Sequence, residues 1–253
     1  MNQKSLIKIV FHSAIVATVL TRASLSYGLS FVDERSELGA NDQLDWSSLP
    51  FPPFVPPVGP PVGPPSFLPS SFPISSDRGL GITISFPEPE PGITQPLYFQ
   101  TRDDNIPTNY APNDFILFSG LMFPAMTFPA PGNPGPLTIT FDSPILGFGS
   151  QLTVDDIFSF VGKIEAFDIN NVSLGEFSLP GTSSTELDNS AQFYGVINDV
   201  PNISKITFST DIDNSGIGVN FLSIVTVPEP SLWMGLLFMA GCGLISKKNK
   251  KSF

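Results

Sequence analysis

The chain has one cysteine and one histidine among its 253 residues, Cys242 and His12, and both lie near its ends. Between them no Ser-His-Asp or Cys-His nucleophile, no usual zinc site and no disulfide can be assembled. No glycine-rich phosphate loop opens a helix either. Carboxylates remain. Asp103 with Asp104, Asp155 with Asp156, and Glu165 with Asp168 are close pairs. Glycoside hydrolysis uses two carboxyls, one of them kept protonated by an apolar pocket. These pairs fall at strand ends or turns, where carboxylates are solvated, so no catalytic residue is expected. Asp211-Ile-Asp213-Asn214-Ser215-Gly216 alternates oxygen ligands and ends on glycine, a pattern that suits calcium at Asp211 and Asp213. Leu222 stands where an EF-hand needs its twelfth-position Glu. The competing reading is a polar hairpin tip between strands at 205–209 and 218–225. No other cofactor is expected. Rings that could stack on sugars are Trp46, Tyr98, Tyr110 and Tyr194. Tyr110 has the most loop-like setting, and the core is the alternative for all four.

Charge narrows the partners. Three of the 12 bases lie in the first 22 residues and four in the last seven, while all 23 acids fall between Asp33 and Glu229. Five bases against 23 acids give that central stretch a formal charge of −18. Such a body does not suit nucleic acid or anionic lipid.

The ends themselves read as addresses. Residues 1–30 form a secretory signal peptide: Lys4 and Lys8, an apolar run from Ile9 to Leu20, then small residues, with Ser26 or Ser30 as the cleavage position. The apolar run spans about 18 Å as a helix, too short for a hydrocarbon core of about 30 Å. At the other end, Val227-Pro228-Glu229-Pro230-Ser231 precedes fourteen uncharged residues, Leu232 to Ile245, and a tail containing Lys247, Lys248, Lys250 and Lys251. A short apolar span before a basic cluster stops transfer, leaves the lysines in the cytoplasm and places the body outside.

Pro-Glu-Pro, an apolar span beginning near Trp233-Met234-Gly235 and a lysine-rich end resemble the PEP-CTERM sorting signal of bacterial surface proteins. The resemblance covers 227–251. It implies export by the Sec machinery, a single C-terminal transmembrane helix in the precursor, and cutting by the membrane protease exosortase. Pro228, Glu229 and Pro230 would then be the processing motif, a substrate and not an active site.

The body, 31–226, has the texture of an all-β domain. Eleven prolines in positions 50–73 exclude helix and interior strand, so 49–73 is expected to be a Pro-rich loop. Around it run short alternating segments: 42–49 with Trp46 inward, 81–86, 97–101, 115–119, 137–141, 163–169, 172–179, 192–197, 205–209 and 218–225. Asn170-Asn171 supplies a hairpin turn between two of them. About ten short strands predict two packed antiparallel sheets. The body also resembles a domain found ahead of the same sorting signal. The resemblance rests on Asn41 to Ser47, Pro136 to Gly149, Glu165 to Phe177, Phe193 to Asp199 and Ile203 to Ser209. It implies a jelly-roll-like β-sandwich similar to carbohydrate-binding modules. Asn220 departs from the Asp that relatives often carry in the closing strand. The expected function is a non-catalytic, exported component of the cell surface or extracellular matrix, with exopolysaccharide or that matrix as partner. The alternative is a lectin-like module for exopolysaccharide.

Overall fold

The computed structural model describes residues 28–49, 68–87, 96–102, 109–122, 136–154, 159–212 and 216–227, with backbone alone at 96–102, 118 and 120–122. The leader, the Pro-rich stretch 50–67, the sorting segment from Pro228, the Asp103-Asp104 and Asp155-Asp156 pairs, the Tyr98 side chain and Asp213 lie outside this description. Among the described residues no helix is long and apolar enough to cross a membrane.

The described chain is all-β, in two antiparallel sheets. The strands are β1 (Ser30–Val32), β2 (Asp42–Leu44), β3 (Ser71–Ser75), β4 (Gly81–Ser85), β5 (Pro96–Arg102), β6 (Phe115–Met122) and β7 (Leu137–Ile145). They continue with β8 (Gly147–Val154), β9 (Ser159–Phe167), β10 (Ser173–Thr182), β11 (Phe193–Ile197), β12 (Ile203–Thr210), β13 (Ile217–Val219) and β14 (Leu222–Val225). One sheet runs β10-β9-β12-β7-β4-β3. The other runs β1-β11-β8-β13-β6-β5, with β14 also on β8 and β2 on β14.

The six-stranded sheet obeys simple alternation. Ile82, Ile84, Leu137, Ile139, Phe141, Ile164, Ile206 and Phe208 point inward and are buried, while Thr83, Thr138, Lys163 and Thr207 take the outer positions. Pro73 sits in the edge strand β3, the place in a sheet where a missing N–H is tolerated. The Pro-rich segment therefore stops short of residue 73. Between β9 and β10, Asn171 takes φ 62°, and the Asp168 carboxylate accepts N–H bonds from Asn170 and Val172 at 2.9 and 2.8 Å. The turn expected there is present, and its chemistry is local.

The other sheet is different because its central strand is buried on both faces: all eight residues of β8 are buried. Phe148 and Leu152 join the inter-sheet core, and Phe148 stacks at 5.5 Å on Phe141 and 5.9 Å on Phe208 across the sandwich. Gly149 and Gln151 face the other way, beside Gly195 and Phe193. That outer face is covered by the segment after β1, where Leu38 packs with Val32 and Phe193.

Neighbouring residues of β11 thus serve opposite faces. Tyr194 enters the core, where a Cβ added at Gly162 would lie 2.4 Å from its ring and one at Gly181 2.9 Å from its hydroxyl. Only glycine leaves room for that ring between the sheets. The Tyr194 hydroxyl donates to Leu179 O at 3.0 Å.

Two expectations change. The segment 211–216 is not a hairpin tip: β12 belongs to one sheet and β13 and β14 to the other, so it is a crossover. The expected strand at 218–225 is also broken at Asn220-Phe221, where β13 ends and β14 begins.

Candidate functional site

The break at Asn220-Phe221 sits against β8 and turns backbone and side-chain polar groups toward the outer face. Oδ1 of Asn220 accepts from Arg35 Nη2 at 2.9 Å, Gln151 N at 3.2 Å and Ser150 Oγ at 3.2 Å. Its Nδ2 donates to Asp114 Oδ2 at 2.9 Å and Gln151 Oε1 at 2.6 Å. Its carbonyl accepts the Trp46 indole N–H at 2.9 Å. Asn220 is fully buried, so every one of these bonds replaces water that cannot reach it.

Arg35 is delivered by a short 3-10 turn, Arg35–Glu37, directly after β1. Nη1 donates to Phe221 O at 3.2 Å and Ser223 Oγ at 2.5 Å. Nη2 reaches Asn220 Oδ1 and, at 3.4 Å, Gln151 Oε1. The guanidinium lies 3.7 Å from the Phe221 ring centroid and 4.9 Å from that of Phe193, an arrangement favoured by the ring quadrupoles. Its four acceptors are neutral oxygens. Burial pushes its pKa down to about 10, opposed by the charge of Asp114, so it remains a cation at neutral pH.

Tyr110 closes the same layer from the 109–114 segment. Its hydroxyl donates to Gly218 O at 2.5 Å and accepts from Thr153 Oγ1 at 3.2 Å. Burial raises its pKa far above the ordinary tyrosine value, which leaves it neutral and without basicity. Among the described residues no nucleophile sits beside a base in this layer. The polar groups of the layer bond chiefly to one another.

Beside Arg35 the surface dips into a cleft of about 320 Å³. Asp33, Glu34, Arg35, Gln151, Asn189, Ser190, Gln192 and Phe193 are among its lining residues. The loop that carries Asn189 is bound in place: Gln151 Nε2 donates to Asn189 Oδ1 at 3.1 Å and Ala191 O at 2.8 Å. Asn189 has φ 62°, a left-handed conformation that Asn tolerates better than most residues.

The residues singled out from the sequence fall elsewhere. Trp46, Tyr110 and Tyr194 are wholly buried, so stacking on a sugar is excluded for these three; the core took each ring and satisfied its polar atom. Asp211 Oδ1 accepts the Val161 N–H at 2.6 Å, a bond that ties the β12 end to β9 and occupies one of the oxygens expected for calcium. Asp168 caps its turn, and those N–H bonds hold its carboxyl below the ordinary range. A general acid needs the opposite shift. Arg35 and Gln151 carried no sequence signal beyond the scarcity of bases in the body, because their partners are as far as 188 positions away. Asn220 stood out in the sequence only as a departure from the Asp of the domain the body was expected to resemble.

No protein-family model and no curated protein matches the chain. Among solved structures it is similar to a DUF4465 family protein from Bacteroides caccae, with 10% identity and a TM-score of 0.35 over 61% of this chain and 86% of that one. The enzymatically active domain of tailspike protein 4 of bacteriophage CBA120 gives 15% and 0.29 over 57% of this chain and 19% of that one. An arabinose-bound α-L-arabinofuranosidase gives 13% and 0.31 over 76% and 28%. At these scores the likenesses say nothing about ligand or activity.

Proposed function

We propose that the chain is a non-catalytic protein of the cell surface or extracellular matrix, a jelly-roll-like sandwich exported as a precursor and processed by an exosortase at Pro228-Glu229-Pro230. The observation that supports this reading is the bonding of Thr226, two residues before the motif. Asn41 brackets Thr226: its Nδ2 donates to Thr226 O at 3.0 Å, and its Oδ1 accepts from Thr226 N at 2.8 Å. One exposed residue, Val227, then separates this clamp from Pro228. A protease needs an extended, accessible substrate, and the motif begins two positions after Thr226. The body from 28 to 227 also contains no His and no Cys.

The motif is tested by Glu229→Ala in a host that carries an exosortase. The variant is expected to accumulate in the membrane fraction with its lysine tail attached, while the parent chain leaves that fraction. Identical partition of the two would count against the motif.

The cleft favours a second reading, binding of a saccharide. The four neutral acceptors of Arg35 engage both of its terminal nitrogens, so no free fork remains for a carboxylate. Asp33 and Glu34 repel anions, and the Arg35 cation disfavours a basic ligand. A neutral, hydroxyl-rich ligand suits such walls, because hydroxyls both donate and accept. Binding of the producer's exopolysaccharide should therefore weaken about tenfold on Asn189→Ala or Gln192→Ala, roughly one hydrogen bond each. Unchanged or absent binding would remove this reading.

A further inference from the structure

Among the described residues three large apolar side chains stand exposed: Ile169 at 75%, Val172 at 58% and Val227 at 48%. Scattered singly, such residues need no explanation. These three share one end of the sandwich. Ile169 and Val172 flank Asn170-Asn171 in the turn from β9 to β10. β12 pairs Lys205 with Phe167, and the same register carried two residues on sets 169 level with Ile203. Ile203 pairs with Ile145, the last residue of β7. In the other sheet Gly147 pairs with Ile197 and Val225, and Ile197 pairs with Ser30. One residue, Leu146, joins the two rows. Its N–H donates to Val225 O at 2.8 Å, and its carbonyl accepts from Asn198 N at 2.7 Å. Val227 follows Val225 by two positions, so the chain leaves the body at the end where the β9–β10 turn projects.

The charges of this end are closer to balance than those of the body. The β3–β4 turn opens here too, since Ile82 pairs with Phe141 near the close of β7. Arg78 and Lys205 therefore stand against Asp77, Asp142, Asp168 and Asp199. The Asp168 carboxylate is already bonded within its own turn. The described residues of the opposite end expose Thr182, Thr185, Glu186 and Asp188, and no large apolar side chain. Apolar tips within a nearly balanced rim suit the head-group region of a zwitterionic bilayer better than that of an anionic one. On the export reading the apolar span of the precursor begins at Leu232, five positions after Val227. Five residues reach at most about 18 Å, so this end of the body faces the bilayer. Two apolar side chains bind lipid only weakly by themselves. A short tether makes the contact intramolecular, at an effective concentration on the order of millimolar.

We propose that in the precursor the β9–β10 turn rests on a zwitterionic bilayer surface, with Ile169 and Val172 inserted among the lipid head groups. The contact depends on the tether, so it ends when the chain is cut. The proposal rests on the export reading, and the test separates the two. Cys242→Ser removes the only thiol, and Val172→Cys or Thr185→Cys then carries one fluorophore at either end of the body, each at an exposed position. The full chain is reconstituted in phosphatidylcholine vesicles, with and without a quencher attached to the lipid. The label at 172 is expected to be quenched and its emission shifted to the blue, while the label at 185 keeps its intensity. Ile169→Asp beside the label at 172 should abolish the quenching. Quenching that survives this change comes from proximity alone and overturns the insertion. Equal quenching at both ends, or none at either, in a chain that floats with the vesicles overturns the contact and leaves the anchor standing. A chain that does not float with the vesicles overturns both.

Discussion

Asn220→Ala is expected to lower the unfolding free energy of the sandwich by about 3–5 kcal/mol, a large part of the roughly 5–15 kcal/mol that a domain commonly has. The side chain removed is small, and the loss comes from what it leaves behind. Arg35 loses an acceptor, Asp114 loses a donor and Gln151 loses one of each. All of this happens against a strand buried on both faces. The cost is that of unpaired buried polar groups, not of a cavity. Chemical denaturation should show a lower midpoint with an unchanged slope. Asn220→Asp preserves the shape but turns an oxygen toward Asp114 and Gln151 Oε1. It should also destabilise at neutral pH, and the deficit should shrink on acidification as a proton shared between the two carboxyls restores the lost donor. A loss under about 1 kcal/mol for Asn220→Ala would mean that the network is not continuous.

Alkali is the second large perturbation. Tyr110 and Tyr194 both have their pKa raised, chiefly by burial. A folded-state pKa above the unfolded value contributes stability that is complete below the unfolded pKa, near 10, and is lost as pH rises beyond it. Each tyrosine that ionises only on unfolding costs about 1.4 kcal/mol per pH unit. Arg35 acts with the opposite sign. Burial lowers its pKa, so any deprotonation in the folded chain offsets part of the tyrosine loss. The net change above pH 10 is a decline in stability. Tyrosinate absorbance from these two rings should then appear together with loss of the fold. Titration of every tyrosine near pH 10 in the folded chain would contradict the burial that places them.

The sequence was readable where the causes are local. Strands such as Leu137–Ile145 and Ile203–Thr210 alternate because one face meets the core and the other meets water, and the turn at Asp168 to Val172 closes on its own side chain. β8 was missed: no expected strand covers 147–154. A strand buried on both faces has no alternation to show, and its Gly149 admits the Phe193 ring: a Cβ there would lie 2.3 Å from it. The segment 211–216 failed for a related reason. Asp, Asn and Gly suit a hairpin and a crossover equally, and only the sheet assignment of the following strand decides between them. Of the candidate site, Tyr110 was noticed for its loop setting and is instead a buried member of the polar layer. Arg35 and Gln151 could not have been found, because burial of a polar side chain is a property of distant neighbours.

The account centres on a sandwich freed from two hydrophobic ends, and the intact mass of the chain recovered from the cell surface tests it most directly. The predicted mass is that of a chain that has lost its leader and ends at or near Pro228-Glu229-Pro230, without Cys242 and without the lysines at 247, 248, 250 and 251. A surface-fraction chain that still carries that lysine tail would contradict it.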